Sequence, residues 1–133
     1  MNQLSQPIIA VVDDDPRIRE SLESLIESAG VKVQTYSLAE DFLRGDLVSA
    51  TSCLITDVQM PGMNGLDLQR RVRLERPDLP VIFITAHHDE TAEQCAFAQG
   101  AAFFFYKPFD ADEFLQAIKL AVNKAAGNHD KVL

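Results

Sequence analysis

The sequence predicts an α/β fold in which five strand-helix repeats wind around one parallel sheet. Short apolar runs rich in β-branched or aromatic residues recur five times, and segments of helical length and period lie between and after them. Acidic, hydroxyl and basic residues collect where several of the runs end. That alternation implies a sheet covered on both faces, a doubly wound three-layer sandwich. A chain of 133 residues needs only one such core.

The first strand is expected over Ile8 to Val12, with Asp15 capping a helix whose first turn holds Pro16 and whose exit is Gly30. Ile18, Leu22, Leu25, Ile26 and Ala29 form the buried stripe of that helix. Val31 to Tyr36 reads as the second strand, and Ser37 with Glu40 has the spacing of a capping box that opens the second helix. Cys53 to Thr56 is the third strand; Asn64 starts a helix that Pro77 stops. Val81 to Thr85 is the fourth strand, followed by a helix from Asp89 to Gly100. Ala102 to Tyr106 is the fifth, and Asp110 with Glu113 opens the last helix through a second capping box. Beyond about Val122 the residues become small and polar. The predicted domain is therefore 1–125, with 126–133 a frayed tail or the start of a linker.

Composition narrows the function classes. Twenty Asp and Glu against twelve Lys and Arg give a net charge of −8, which opposes attraction to nucleic-acid phosphates or anionic lipids. Direct DNA contact by this segment is not expected. Cys53 and Cys95 lie far apart beside apolar residues, as reduced core thiols of a cytoplasmic protein do. The opening Met1 to Pro7 has neither a basic start nor an apolar stretch, and no run approaches the roughly 20 apolar residues that span a bilayer.

The chemistry sits at the strand ends. Asp13 and Asp14 follow the first strand, Asp57 the third and Lys107 the fifth, while Thr85 closes the fourth. In a parallel sheet the carboxyl ends of the strands share one edge, and ligands bind there where the winding reverses. A strand order of 2-1-3-4-5 makes strands one and three neighbours, so that Asp13, Asp14 and Asp57 share a crevice with Thr85 and Lys107 opposite. Two carboxylates about 5 Å apart repel by roughly 3 kcal/mol at an effective dielectric of 20, so stability alone does not select the cluster. Oxygen-only donors favour a hard divalent cation, and Mg2+ fits because it leaves positions for phosphate oxygens. Beside such an ion one carboxylate can act as nucleophile toward a phosphoryl group, with Lys107 neutralising the developing charge and Thr85 donating to a phosphoryl oxygen.

The stretches VVDDDP, LITDVQMPGMNGLDL, PVIFITA and GAAFFFYKPF together resemble the receiver domains of two-component response regulators, of the chemotaxis and transcription-regulator type. The resemblance runs from Ile8 to about Val122. It implies a flavodoxin-like (βα)5 fold, Asp57 as phosphoacceptor, Thr85 as switch hydroxyl and Lys107 as the phosphoryl-stabilising cation. It also implies that Asp13, Asp14, Asp57 and the backbone carbonyl of Gln59 hold the metal, Asp14 more directly than Asp13. The Lys107–Pro108 peptide is expected to be cis. Phe104 matches the aromatic that turns inward on activation; where many relatives have Tyr this chain has Phe, so the switch rests on packing. A sensor histidine kinase is the implied donor. The surface of helix four, strand five and helix five is the implied readout, with a homodimer on phosphorylation. Any DNA contact would come through an output domain C-terminal to this segment. Such a domain promotes its own phosphorylation and hydrolysis, yet is a substrate more than an enzyme.

Each residue also has a plainer role. Asp57 alone could be a turn former before Met60, Pro61 and Gly62, Lys107 a surface lysine, and Thr85 a strand former. His87 and His88 read as solvated loop residues, and Gly62 and Gly65 as turn geometry. Three rival functions are weaker. A haloacid-dehalogenase-like phosphohydrolase carries its nucleophile after the first strand and needs a cap, but here Pro16 and Arg17 follow Asp15 and no cap-sized insertion exists. A flavin-binding module needs a Gly-rich or hydroxyl-rich loop after the first strand. A degenerate receiver has lost an acid, the Thr or the Lys, and none is lost here.

Overall fold

The computed structural model describes the backbone of residues 6–131 and the side chains of residues 6–125. The reading of the opening segment therefore lies outside the described residues for positions 1–5. Five strands, β1 (Ile8–Val12), β2 (Lys32–Tyr36), β3 (Cys53–Asp57), β4 (Val81–Thr85) and β5 (Phe103–Tyr106), alternate with α1 (Pro16–Ser28), α2 (Ala39–Arg44), α3 (Gly65–Glu75), α4 (Glu90–Ala98) and α5 (Ala111–Lys131). All strand pairs are parallel, and the order is β2-β1-β3-β4-β5, as expected.

Period-two alternation divides the apolar residues between two cores. Ala10, Val12, Leu54, Val81 and Phe83 face Ala39, Phe42, Leu68, Val72 and Ala96 of α2, α3 and α4. Ile9, Val11, Ile55, Ile82 and Ile84 face Leu22, Ile26, Phe114 and Ile118 of α1 and α5. Because β1, β3 and β4 are covered on both sides, they are apolar almost throughout. Phe83 and Phe114 are fully buried, and truncating either to Ala would cost about 3–5 kcal/mol.

The caps explain most boundaries. The Asp15 carboxylate accepts from the Arg17 amide at 2.9 Å, that of Asp89 from Ala92 at 3.0 Å, and that of Asp110 from Glu113 at 2.9 Å. The Asn64 side chain accepts from Asp67 at 2.8 Å. Gly30 and Gly100 take φ of 80° and 97°, the left-handed exits of α1 and α4.

Four local expectations are corrected. Ala29 is exposed, because α1 ends at Ser28 and Ala29 is its C-cap. Ser37 and Glu40 do not form a capping box: Leu38 is the N-cap of α2 without a side-chain bond, and Glu40 turns toward another loop. Val31 and Ala102 fall just outside the sheet, whereas β3 reaches Asp57. The backbone stays helical past Val122 to Lys131, since Lys124, Ala125 and Ala126 favour a helix and one Gly127 costs only about 1 kcal/mol. Among the described residues no helix is long and apolar enough to cross a membrane.

Candidate functional site

The strand order places the ends of β1 and β3 side by side, with Val12 opposite Thr56. Asp13 and Asp14 leave β1 at that edge, and Asp57 ends β3 next to Ile84 of β4. Carboxylate oxygens of Asp13, Asp14 and Asp57 lie within 4.8 Å of one another. The three acids expected to meet do so.

Their environments differ. Asp13 is fully buried; its Oδ1 accepts from the Asp15 amide at 2.9 Å, its Oδ2 lies 3.4 Å from Lys107 Nζ, and its carbonyl accepts from Arg19 at 2.7 Å. Asp14 is exposed. Asp57 is mostly buried; its Oδ1 accepts from the Gln59 amide at 3.3 Å and its Oδ2 stands 3.7 Å from Lys107 Nζ. Burial raises the Asp57 carboxyl above the usual carboxylate range, and the charge of Asp13 pushes it the same way, against the opposing pull of Lys107 and the neighbouring amides. The Lys107 ammonium reaches two of the three acids. The all-oxygen donor set and the surplus negative charge suit a hard divalent cation, whose charge would relieve the repulsion.

Lys107 arrives from β5, where its amide donates to the Thr85 carbonyl at 2.8 Å and its peptide with Pro108 is cis. Thr85 is buried beside it, opposite Tyr106, but its hydroxyl is turned into its own loop. It accepts from the His87 amide at 3.2 Å and donates to the His87 carbonyl at 3.4 Å. Among the described residues it makes no hydrogen bond to the acids. Phe104 is half-buried, its ring 5.6 Å from Phe83 and 5.3 Å from Tyr106.

Several contributors were not read from the sequence. Gly65 packs so closely that a Cβ there would lie 2.0 Å from the Asp57 carbonyl oxygen, and its amide donates to Val58 at 2.8 Å. Its role is close approach to the end of β3, more than turn geometry. The Tyr106 hydroxyl donates to Glu93 at 2.6 Å, and His88 stacks on its ring at 4.5 Å. Tyr106 and Phe104 share a face of β5 by alternation, the one signal that could have suggested the contact.

Comparison with known proteins bears on the family and the fold. The family model described as the response regulator receiver domain matches residues 9–119. The chain is 42% identical over 118 residues to response regulator protein TodT of Pseudomonas putida strain F1, a match covering 89% of this chain and 52% of that protein. It is 37% identical over 120 residues to the DNA-binding transcriptional regulator NtrC of Escherichia coli K12, covering 90% of this chain and 26% of NtrC. The solved structure of response regulator StyR superposes with a TM-score of 0.85 at 36% identity, covering 95% of this chain and 64% of that one. The chain thus spans about half the length of the first of these curated relatives.

Proposed function

The chain belongs to the response regulator receiver domain family, and from that membership we propose that Asp57 accepts a phosphoryl group from a sensor histidine kinase or a small phosphodonor. The observation that carries this reading is the meeting of the Asp13, Asp14 and Asp57 carboxylates within 4.8 Å, with Lys107 Nζ beside two of them.

Asp13, Asp14, Asp57 and the Gln59 carbonyl would hold Mg2+, which when bound supplies positive charge to the phosphoryl oxygens. An Asp57 carboxylate oxygen attacks phosphorus, the bond from phosphorus to the donor histidine nitrogen breaks, and the imidazole keeps the electron pair and takes a proton. Lys107 Nζ neutralises charge on the transferred group. The Thr85 hydroxyl leaves His87 and donates to a phosphoryl oxygen, drawing the β4–α4 loop inward. Phe104 then repacks between β5 and α4. The chain's own groups favour both the gain and the hydrolysis of the acyl phosphate.

The surface of α4, β5 and α5 is the proposed readout, by a partner or by a second copy. Residues 1–125 are the proposed receiver and 126–133 a tail or the start of a linker, its backbone helical as far as Lys131. The naming of one relative as a DNA-binding transcriptional regulator supports a transcriptional output carried outside this segment. A cytoplasmic setting follows from a kinase donor of this kind.

The test is incubation with acetyl phosphate and magnesium, followed by intact mass and size-exclusion chromatography. One phosphoryl group is taken up by the natural sequence, none by Asp57→Asn, and uptake needs the divalent ion. Equal uptake by Asp57→Asn would overturn the assignment.

A further inference from the structure

Glu40 stands in the first turn of α2, where an acid ordinarily answers the helix dipole from the surface. Here its carboxylate crosses to the loop between β3 and α3. Oε2 accepts from the Met63 amide at 3.3 Å, across 23 residues of sequence. A Cβ on Gly62, whose φ is 75°, would lie 2.9 Å from the same oxygen. Oε1 is buried and has no hydrogen-bond partner among the described residues. A buried oxygen left unbonded forfeits its hydration without return, so fold stability alone does not favour a carboxylate at this place.

The loop that Glu40 grips begins directly after Asp57 and carries Gln59. Its near end is tied to the site by the Gln59 amide on Asp57 and its base is closed by the Gly65 amide on Val58. Among the described residues, Glu40 is the one side chain from beyond the loop and its flanking elements that hydrogen-bonds to its backbone. With both ends held, the peptide between them has little freedom.

We infer that Glu40 is a positioning residue for the metal site: by anchoring the Gly62–Met63 turn it orients the Gln59 carbonyl before the ion arrives. The inference rests on the proposed role of that carbonyl. Without the anchor the loop must be ordered at the moment of binding, and the entropy of that ordering weakens affinity.

The experiment is calorimetric Mg2+ titration of the whole chain, with amide hydrogen exchange measured in chelator. Glu40→Ala binds magnesium about tenfold more weakly, the scale seen when groups behind metal ligands are removed. Glu40→Gln keeps an acceptor for Met63 and stays within about twofold of the natural sequence, which separates anchoring from mere charge. Glu40→Asp keeps the charge but loses reach, and behaves as the alanine variant does. Met63 exchanges faster in the alanine and aspartate variants, while Ile55 in β3 keeps its protection, which establishes that each variant is folded. Unchanged affinity in Glu40→Ala, or weakened affinity in Glu40→Gln with Met63 still protected, would overturn the inference. Asp57→Asn serves as the control for the site: were it to bind magnesium normally, the metal reading itself would fail, whatever Glu40 does.

Discussion

Lys107 Nζ lies 3.4 Å from Oδ2 of the buried Asp13, joining two side chains 94 residues apart. Lys107→Met would leave that carboxylate uncompensated, beside two others. The expected loss in chelator is about 3 kcal/mol, the usual cost of removing one partner of a buried pair. Magnesium restores part of it by supplying the missing charge. Urea denaturation with and without the ion measures both effects, and a loss below about 1 kcal/mol in chelator would show that the pair behaves as a surface contact.

Asp57→Asn has the opposite sign. Burial first, and the Asp13 charge second, raise the Asp57 carboxyl above its ordinary value. Between the ordinary and raised values the folded state binds more protons than the unfolded one, so this group's contribution to stability falls as pH rises through that window. Above the window its charge destabilises the metal-free fold. Asp57→Asn is therefore more stable than the natural sequence at neutral pH in chelator. That advantage shrinks in acid, as Asp57 takes up its proton. Paired denaturation curves at neutral and acid pH are the check; a less stable Asn variant at neutral pH would contradict the crowded-acid picture.

Gly65→Ala sets a Cβ 2.0 Å from the Asp57 carbonyl oxygen and 3.1 Å from Val58 Cα. Backbone must move, at about 2–3 kcal/mol. Gly30→Ala meets nothing within 4 Å and costs only about 1 kcal/mol, for its positive φ. Thermal melting should rank the two in that order. Phosphoryl uptake at equal folded fraction should fall only for Gly65→Ala, because the displaced backbone belongs to Asp57 itself.

Tyr106 donates to Glu93 at 2.6 Å, and that hydrogen bond, with lesser help from burial and the Glu93 charge, raises its phenol above the ordinary tyrosine range. The stabilisation is present below the ordinary tyrosine range and is lost as pH rises through the raised value. Ultraviolet titration should show the shift shrink in Glu93→Gln, leaving the smaller part that burial causes. In Tyr106→Phe the amides of Ala92 and Glu93 should exchange faster, since the link between β5 and the first turn of α4 is gone.

Legibility followed the range of the interaction. The four caps at Asp15, Asn64, Asp89 and Asp110 were readable because each carboxylate or amide oxygen meets an amide two or three residues ahead. Ser37 and Glu40 had the right spacing and failed, because Glu40 found a partner 23 residues away. The length of α5 was missed where small polar residues weakened the pattern without breaking the helix.

By itself the sequence determined five alternating repeats, a sheet buried on both faces, and which acids, hydroxyl and cation stand at the strand ends. Those follow from periodicity and from local backbone chemistry. Only the tertiary structure decided that Asp13 is buried while Asp14 is exposed, that Thr85 bonds its own loop, and that Lys107 reaches two of the acids. Such facts depend on the twist and packing of elements distant in the chain, which spacing along one strand or helix cannot encode.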